Sequence, residues 1–325
     1  MRVRINKIDL RKEATMRAVI YRSVGTLDDI SVEEVPIPEP GYAEVRIKVQ
    51  AAALNPTDIA AWSGRFPAPP EGDFFGIGWD IAGVVDVPGP GTVWQPGQAV
   101  IAISAGAVAK YRAQAEYVIV PSHALAPAPE GIDPTAASTI PLNGLTAAQS
   151  VELLRIEPGT TVLVTGGQGA VGAYAVQLAK RRGATVIACG RSADGAFATD
   201  IAGADEYLIS DDALVGAIRS RYPNGVDGVI DTAMLGDEVL GAVRDGGAFV
   251  STRIDALPQS ERGIRVRLTQ IAADGAMLTT LSDLAARGEL ALRVAASYPL
   301  NEARAAHAHL ASGEVSGGRI VLTVP

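Results

Sequence analysis

A glycine-rich segment between a predicted strand and a predicted helix constrains the fold more than any other part of the chain. Residues 161–165 read TVLVT, residues 166–172 read GGQGAVG, and a helical run continues to residue 182. A second apolar run, TVIACG at residues 185–190, completes a strand–helix–strand unit. The pattern G-x-G-x-x-G carries little weight alone in a chain with 35 glycines, but this placement is typical of a dinucleotide site.

Each glycine of the pattern has its own expected role. Gly167 allows the tight turn, Gly169 lets the backbone approach a pyrophosphate, and Gly172 lets the helix pack closely on the strand. The phosphates then lie on unpaired N–H groups at the positive end of the helix. We therefore predict that the cofactor is bound by Gly166, Gly167, Gln168, Gly169, Ala170, Val171 and Gly172.

The end of the second strand indicates which dinucleotide is bound. NAD sites usually carry Asp or Glu there, to bond the ribose 2′-hydroxyl. This chain has Arg191 instead, flanked by Gly190 and Ser192. A guanidinium matches a 2′-phosphate bidentately, and the serine can donate as well. These three residues favour NADP(H), and Asp194 is the one nearby residue that argues against it.

The distribution of turn residues, predicted strands and predicted helices along the chain indicates an α/β protein with two domains of different kinds. From Met16 to about Pro141, short strands separated by Pro- and Gly-rich turns indicate a partly open β-barrel or sandwich. Residues 142–272 alternate strands with helices, which is typical of a doubly wound parallel sheet. The tail, residues 273–325, breaks this spacing and is expected to return to the first domain. Residues 1–15 are expected to be a disordered extension.

Composition excludes several classes of function. The net charge of −8 and the absence of a sizeable basic patch argue against nucleic acid and anionic lipid as partners. No apolar run reaches the ~20 residues that span a membrane. The single cysteine, Cys189, excludes an internal disulfide framework, fits a reducing cytoplasm, and is predicted to be a small buried hydrophobe. We expect a cytoplasmic protein with a small-molecule substrate.

Eight motifs in order resemble the medium-chain dehydrogenase/reductase superfamily, specifically its zinc-independent NADPH:quinone oxidoreductase (zeta-crystallin-like) branch. They are MRAVIY with EVPIPEPGYAEVRIKVQAAALNPTDIAAWSG, GWDIAGVV, QPGQAV, AEYVIVP, GLTAAQSV, EPGTTVLVTGGQGAVGAYAVQLAKRRGA, GADEYLIS and SGEVSGGRIVL. The resemblance implies a GroES-like β-barrel catalytic domain interrupted by a Rossmann domain, with the active site in the cleft between them. It also implies hydride transfer from NADPH to a quinone or an activated C=C bond of an enone or enal, and a homodimer.

The same resemblance bears on zinc. Zinc-dependent members of the superfamily carry a cysteine in the segment that corresponds to ALNPTD, where this chain has Asn55. His123, His307 and His309 lie far from the ligand motifs, and a zinc site needs three or four ligands at suitable spacing. We predict no metal site. His123 is expected to be structural, and the other two histidines, two positions apart on a helix, are expected to face different ways.

The resemblance also implies roles for residues of the cleft. Asn55 and Asp58 fall where the family lines the cleft near the nicotinamide. Quinone-reducing members often carry tyrosines just after this segment, where this chain has Ala60, Trp62 and Phe66. These three residues predict a more apolar substrate pocket, which leaves the acceptor open.

Further positions are assigned to the cofactor by resemblance. Thr146 falls where the family contacts the cofactor, Ser251 and Thr252 end the strand that faces the nicotinamide, and Arg319 replaces the usual lysine of the C-terminal motif. Negative charge develops on the acceptor oxygen during hydride transfer, so hydrogen-bond donors are needed there. The candidates are Asn55, Tyr117 and the backbone of residues 251–253, with Lys110 and Tyr111 on a loop that could reach the cleft.

Two alternatives to the main hypothesis stay open. The first is enoyl reduction of a thioester or polyketide-like intermediate on the same fold. The second is a non-catalytic NADPH-binding sensor or scaffold, because a fold does not determine its function. For the dimer, the predicted strand GIRVRLTQ could pair with its twin across a two-fold axis, or Arg265 and Arg267 could guard that edge.

Overall fold

The structure is a computed structural model, and it describes residues 14–106, 108–191, 195–315 and 317–325. The predictions for residues 1–13 and for Ser192 and Asp194 therefore lie outside the described residues. Thr15 falls in the segment expected to be disordered, but it begins the first strand, where it pairs with Pro36.

The first part of the chain forms short strands around one long strand. Its elements are β1 (Thr15–Tyr21), β2 (Ile30–Pro36), β3 (Glu44–Ala53), α1 (Pro56–Trp62), β4 (Phe75–Gly76), β5 (Asp80–Pro88), β6 (Ala99–Ile103), β7 (Tyr117–Pro121), β8 (Leu125–Pro127) and α2 (Pro134–Ala137), and α3 (Pro141–Leu154) then leads into the second part. In β3, Val45, Ile47 and Val49 are buried and alternate with more exposed residues, as expected for a strand with one face on a core. β3 pairs antiparallel with both β5 and β7.

The second part forms a parallel sheet of six strands. Its elements are β9 (Thr161–Thr165), α4 (Ala170–Arg181), β10 (Thr185–Gly190), β11 (Glu206–Ile209), α5 (Leu214–Arg221), β12 (Val226–Asp231), α6 (Asp237–Leu240), β13 (Val243–Ser251) and β14 (Arg265–Leu268). The strand order is β11-β10-β9-β12-β13-β14, which is the predicted doubly wound arrangement. A π-helical turn, Phe197–Ile201, replaces a regular helix between β10 and β11.

The tail returns to the sheet of the first part. Its elements are α7 (Gly275–Ala286), β15 (Val294–Pro299), α8 (Ala303–Ser312) and β16 (Arg319–Thr323). β16 pairs antiparallel with β3, with Val321 opposite Ala53, and β15 pairs parallel with β16. The resulting sheet has the order β15-β16-β3-β5-β6-β8, with β7 also on β3. This arrangement brings the start of β16 beside the first turn of α4, and hydrogen bonds link Arg319 to Asn143 in α3 and Asn143 to Asn55 at the start of α1.

Candidate active site

The glycine turn after β9 is shaped by close backbone contacts. The left-handed residue is Gly166, with φ of 62°, so the turn is made one residue before Gly167, the residue predicted to make it. Gly167 is instead required by packing on β10, because a Cβ there would lie 2.6 Å from the Cβ of Ala188. A Cβ on Gly172 would lie 2.1 Å from the carbonyl oxygen of Gly166. The last glycine therefore allows a close contact between the helix and the turn, whereas the motif predicts a close contact between the helix and the strand.

The N-terminus of α4 is open where phosphate is expected. Gly169 is exposed, precedes the first helical residue, and provides no side chain to cap the helix. A Cβ at this position would meet only the carbonyl oxygen of Gly166, at 3.1 Å. The first N–H groups of a helix need partners from outside it, and the helix dipole favours an anion there. The turn therefore fits the pyrophosphate of a dinucleotide.

The end of β10 presents a cation, Arg191, that has no partner among the described residues. Arg191 is exposed and forms no hydrogen bond or ion pair with any residue that the structure describes. Gly190, just before it, has no room for a side chain, because a Cβ would lie 2.6 Å from the hydroxyl of Tyr207. The guanidinium is thus available to a ligand phosphate at the strand end where a ribose is expected.

Four polar side chains from four separate segments meet below the α4 N-terminus; we call Asn55, Asp80, Asn143 and Arg319 the cleft network. Arg319 donates through Nη2 to Oδ1 of Asn143, and Asn143 Nδ2 donates to Oδ1 of Asn55 at 3.1 Å. Asn55 Nδ2 donates in turn to Oδ2 of Asp80 at 2.6 Å. The network therefore runs from a cation through two amides to a carboxylate.

Burial sets the electrostatics of the cleft network. It raises the pKa of Asp80 to about 7, against the hydrogen bonds that the carboxylate accepts from the backbone N–H of Leu142 and from Asn55. It also lowers the pKa of Arg319, against the attraction of Asp80. Nε of Arg319 is buried without a hydrogen-bond partner among the described residues. An orphaned buried donor of this kind is costly unless a ligand satisfies it.

A second buried chain of hydrogen bonds leads from α8 to α1. Nε1 of Trp62 donates to Nδ1 of His307 at 3.3 Å, so the ring proton of that histidine lies on Nε2. His307 Nε2 donates to Oε1 of Gln114 at 2.9 Å, and Gln114 Nε2 reaches Oδ2 of Asp58 at 3.5 Å. The same carboxylate oxygen accepts the backbone N–H of Asn55 at 2.7 Å, which holds the first turn of α1.

The titratable members of this chain are strongly perturbed. Burial raises the pKa of Asp58 to about 7, and its Oδ1 has no hydrogen-bond partner among the described residues. Burial lowers the pKa of His307 to about 3, so the imidazole is neutral. No local sequence pattern predicts these hydrogen bonds, because Trp62 and His307 lie 245 positions apart.

Several predicted pocket and donor residues are placed elsewhere. Trp62 is predicted to line the substrate pocket. It is instead a core residue, because its side chain is 7% exposed and its N–H donates to His307. Ala60 and Phe66 are half-buried. Tyr117 packs in a separate apolar cluster with its ring 5.7 Å from the guanidinium of Arg46, so the structure does not bring it to the cleft network.

The candidate donors at residues 110–111 and 251–253 already have partners within the protein. Lys110 pairs with Asp73 at 2.8 Å, and the ring of Tyr111 packs edge-on against Phe74. Oγ of Ser251 donates to the carbonyl of Arg253 at 2.9 Å. The backbone of this segment is also engaged, because the N–H of Arg253 donates back to that hydroxyl.

The two remaining hydroxyls bond their own surroundings. Oγ1 of Thr252 donates to the carbonyl of Asp231 at 3.2 Å, and Oγ1 of Thr146 donates to the carbonyl of Leu142 at 2.6 Å. Both side chains are half-buried. Their assignment to the cofactor stays a prediction.

Cysteine and the other histidines have structural surroundings. Burial raises the pKa of Cys189 to about 12, as expected for the small buried hydrophobe predicted here. His309 shares a hydrogen bond with Tyr298 at 3.0 Å on the opposite side of α8 from His307, so the two rings face different ways as predicted. The carbonyl of His123 accepts the N–H of Gly275 at the start of α7.

The described ranges offer neither a metal cluster nor a membrane span. No group of three or more His, Cys, Asp or Glu side chains is placed there to hold a metal ion. No helix in the same ranges is long and apolar enough to cross a bilayer.

Comparison with known proteins identifies both parts of the chain. The alcohol dehydrogenase GroES-like domain model matches residues 41–130, and the zinc-binding dehydrogenase model matches residues 202–322. The chloroplastic NADPH-dependent alkenal/one oxidoreductase of Arabidopsis thaliana is 27% identical over 319 residues, covering 95% of this chain and 80% of that protein. The spectinabilin polyketide synthase system protein NorB of Streptomyces orinoci is 31% identical over 325 residues, covering 93% of this chain but only 14% of that protein.

The fold is shared over almost the whole chain. The quinone oxidoreductase from Coxiella burnetii superposes with a TM-score of 0.81 at 25% identity, covering 96% of this chain and 100% of that one. The two matched domains lie in the order that the eight sequence motifs predict. This chain belongs to the medium-chain dehydrogenase/reductase superfamily.

Proposed function

We propose that the protein is an NADPH-dependent oxidoreductase that transfers hydride, without a metal ion, to a quinone or to the activated C=C bond of an enone or enal. The observation that carries the proposal is an open glycine turn at Gly169 together with an exposed guanidinium, that of Arg191, which has no partner among the described residues. The first suits a pyrophosphate and the second a 2′-phosphate. The names of the relatives support the same reaction class.

The residues around the turn would hold the cofactor. The N–H groups at the start of α4 would bind the pyrophosphate, Arg191 would bind the 2′-phosphate, and the orphaned Nε of Arg319 would gain a partner. NADPH, when bound, would supply a hydride, which carries both of the electrons that the acceptor gains. The cleft network lies beside this position and holds Arg319 by its Nη2 bond to Asn143.

The side chains of the cleft network position other groups and do not themselves donate hydrogen bonds to the acceptor. Both N–H groups of the Asn55 amide are used, one on Asp80 and one on the carbonyl of Ala53. A buried amide whose donors are satisfied is rigid, and moving it to an oxyanion would leave Asp80 uncompensated. We therefore assign Asn55 to positioning α1 and Arg319, and assign protonation of the product to water entering the cleft.

Turnover on a panel of acceptors tests the proposal. NADPH oxidation at 340 nm is measured with p-quinones, 2-alkenals and enones, each at several concentrations. Saturable turnover with at least one class is expected. NADPH binding with no turnover across the panel would favour the non-catalytic sensor or scaffold.

Arg191→Ala tests the cofactor assignment. Loss of a charge-assisted bond to the 2′-phosphate is expected to weaken NADPH binding by about 1.5–3 kcal/mol and to leave NADH binding nearly unchanged. Binding is measured by titration of nicotinamide fluorescence, with Arg182→Ala as the control, since Arg182 is exposed at the far end of α4. Equal losses for both dinucleotides would contradict the assignment.

Enoyl reduction of a thioester or polyketide-like intermediate is the second candidate. It is favoured by the match to a polyketide synthase over 93% of this chain. A small enone and an acyl-thioester of crotonate are compared by kcat/KM. A value at least about tenfold higher for the thioester, equivalent to 1.4 kcal/mol in transition-state binding, would favour this candidate.

We further propose a cytoplasmic homodimer. β14 is the last strand of its sheet, and no described strand pairs with its outer edge. Exposed Arg265 and Arg267 alternate along it with half-buried Val266 and Leu268. An unpaired edge can join its two-fold mate. Sedimentation at micromolar concentration tests the dimer, and a monomer would contradict it. The single buried Cys189 supports a reducing compartment.

A further inference from the structure

Arg293 lies over the glycine turn but comes from the tail. It immediately precedes β15, and its Nη1 donates to the carbonyl of Gln168, inside the G-x-G-x-x-G pattern, at 3.0 Å. Its guanidinium lies 3.7 Å from the ring centroid of Phe197, which begins the π-helical turn after β10. One side chain from the tail thus contacts two segments of the other domain, the glycine turn and the π-helical turn.

The fold leaves room specifically for this guanidinium. Gly317 has φ of 70°, and a Cβ there would lie 1.8 Å from Nη2 of Arg293. Any other residue at position 317 would therefore displace the guanidinium or the backbone. Arg293 and Arg319 line the same narrow crevice beside the first turn of α4, together with Tyr174 and Ala170. Two guanidinium groups accordingly converge at the open helix N-terminus.

The charge of Arg293 is not compensated within the described structure. No carboxylate of a described residue lies within 4.0 Å of its guanidinium, whereas arginines elsewhere in the chain, such as Arg46 and Arg253, are paired with one. The side chain is half-buried, and burial lowers its pKa. A partly desolvated cation that bonds only a neutral carbonyl and a ring is well placed to gain from an anion.

We infer that Arg293, a residue of the tail whose side chain lies over the glycine turn, binds the pyrophosphate of the cofactor. The inference rests on the proposed NADPH-binding function. The pyrophosphate is favoured over the 2′-phosphate because Arg293 bonds Gln168 within the turn, whereas the 2′-phosphate is assigned to Arg191 at the end of β10. The G-x-G-x-x-G motif does not predict this role of Arg293, because Arg293 and Gln168, the motif residue that it contacts, lie 125 positions apart in the sequence.

Substitution of Arg293 by Met keeps an unbranched apolar stem and removes the charge. We expect Arg293→Met to weaken NADPH binding about tenfold or more, the loss of one charge-assisted bond. Arg293→Lys restores the charge without the planar fork and is expected to recover part of the affinity. Arg304→Met is the matched control, because Arg304 also donates to a backbone carbonyl, that of Ile30 at 2.8 Å, but contacts β2.

Two ligand fragments separate the phosphates. 2′-Phospho-ADP-ribose carries both the pyrophosphate and the 2′-phosphate, whereas 2′-AMP carries only the latter. Arg293→Met should weaken the first about tenfold and leave the second unchanged, while Arg191→Ala should weaken both. The NADPH affinity of the wild type should also fall more steeply with salt than that of Arg293→Met, because one ionic contact is lost.

The melting temperature separates a purely structural role from binding. If Arg293 only joins the two domains, Arg293→Met lowers the melting temperature without changing fragment affinity, which overturns the inference. A loss shared by 2′-AMP also overturns it, because the contact is then to the 2′-phosphate. Wild-type protein that fails to bind NADPH overturns the proposed function and this inference together, whereas wild-type binding with an unaffected Arg293→Met overturns this inference alone.

Discussion

The two halves of the proposed site are built in opposite ways. The glycine turn is seven consecutive residues, and its proposed binding groups belong to the backbone, where glycines leave room for a ligand. The cleft network is four side chains from residues 55, 80, 143 and 319, each bonded to the next. Substitutions that add a side chain should therefore disrupt the glycine turn, whereas substitutions that shorten a side chain should disrupt the cleft network.

The largest effect is expected from adding atoms to the turn. Gly172→Val places a branched side chain where even a Cβ would lie 2.1 Å from the carbonyl of Gly166, so α4 must move off the turn. We expect a loss of about 4 kcal/mol in the free energy of unfolding and loss of NADPH binding. Urea unfolding and NADPH titration measure the two effects.

A helical glycine elsewhere provides the control. Gly216 lies in α5, and a Cβ added there would have no heavy atom within 4 Å, so Gly216→Ala should leave stability equal or raise it by about 0.5–1 kcal/mol. If Gly172→Val were as stable as this control, the turn would not be governed by close packing.

Removing atoms from the cleft network is expected to have the next largest effect. Asn55→Ala leaves Oδ2 of Asp80 and Nδ2 of Asn143 buried without their partner. We expect the free energy of unfolding to fall by about 3 kcal/mol, because two buried polar groups lose hydrogen bonds. Asn301→Ala, at an exposed position, is the control and should change stability by less than about 0.5 kcal/mol. Equal values for the two variants would show that the network contributes nothing to stability.

The smallest effect concerns pH and the neighbouring Asp58. Its folded pKa is about 7, well above its ordinary value, so between about pH 4 and 7 the folded state binds more protons than the unfolded state. This group therefore stabilises the fold below about pH 4, and its contribution is lost as the pH rises through 7. Asp58→Asn removes that dependence, so its stability relative to wild type should rise by about 2–3 kcal/mol between pH 5 and 8.

Urea unfolding at several pH values measures this difference. The comparison with wild type is necessary because His307, with a folded pKa of about 3, has the opposite dependence: the unfolded state binds its proton first, so its contribution rises with pH. Asp28→Asn is the control, because that carboxylate is 89% exposed. Parallel stability curves for Asp58→Asn and wild type would contradict the assignment to Asp58.

Local patterns were enough to predict the parallel sheet and the glycine turn. Continuous apolar runs such as β9, with four of its five residues buried, are typical of strands covered on both faces. The strand–turn–helix order then located the helix N-terminus. The motif alone misassigned one detail, because two adjacent glycines precede Gln168 and only the backbone shows that Gly166 has the positive φ.

The side-chain partners could not be predicted in the same way. Asn55 was expected to donate to an acceptor oxygen, but its donors are used by Asp80 and by the carbonyl of Ala53, contacts set by how β3, α1 and β5 pack. Trp62 was expected in a substrate pocket, but α8 presents His307 to its indole N–H. Contacts between distant segments depend on tertiary packing, which a local pattern does not contain.

The pairing of β16 with β3 has a consequence for the order in which the protein is made. All six strands of the parallel sheet lie before residue 269 and are synthesised before β16, whereas the edge of β3 at Ala51–Ala53 stays without its partner until β16 has been made. Domains generally fold as units during synthesis, and an unpaired strand edge is a template for aggregation. The domain that begins the chain is therefore the one completed last, and its open edge is exposed to other nascent chains until the final residues emerge.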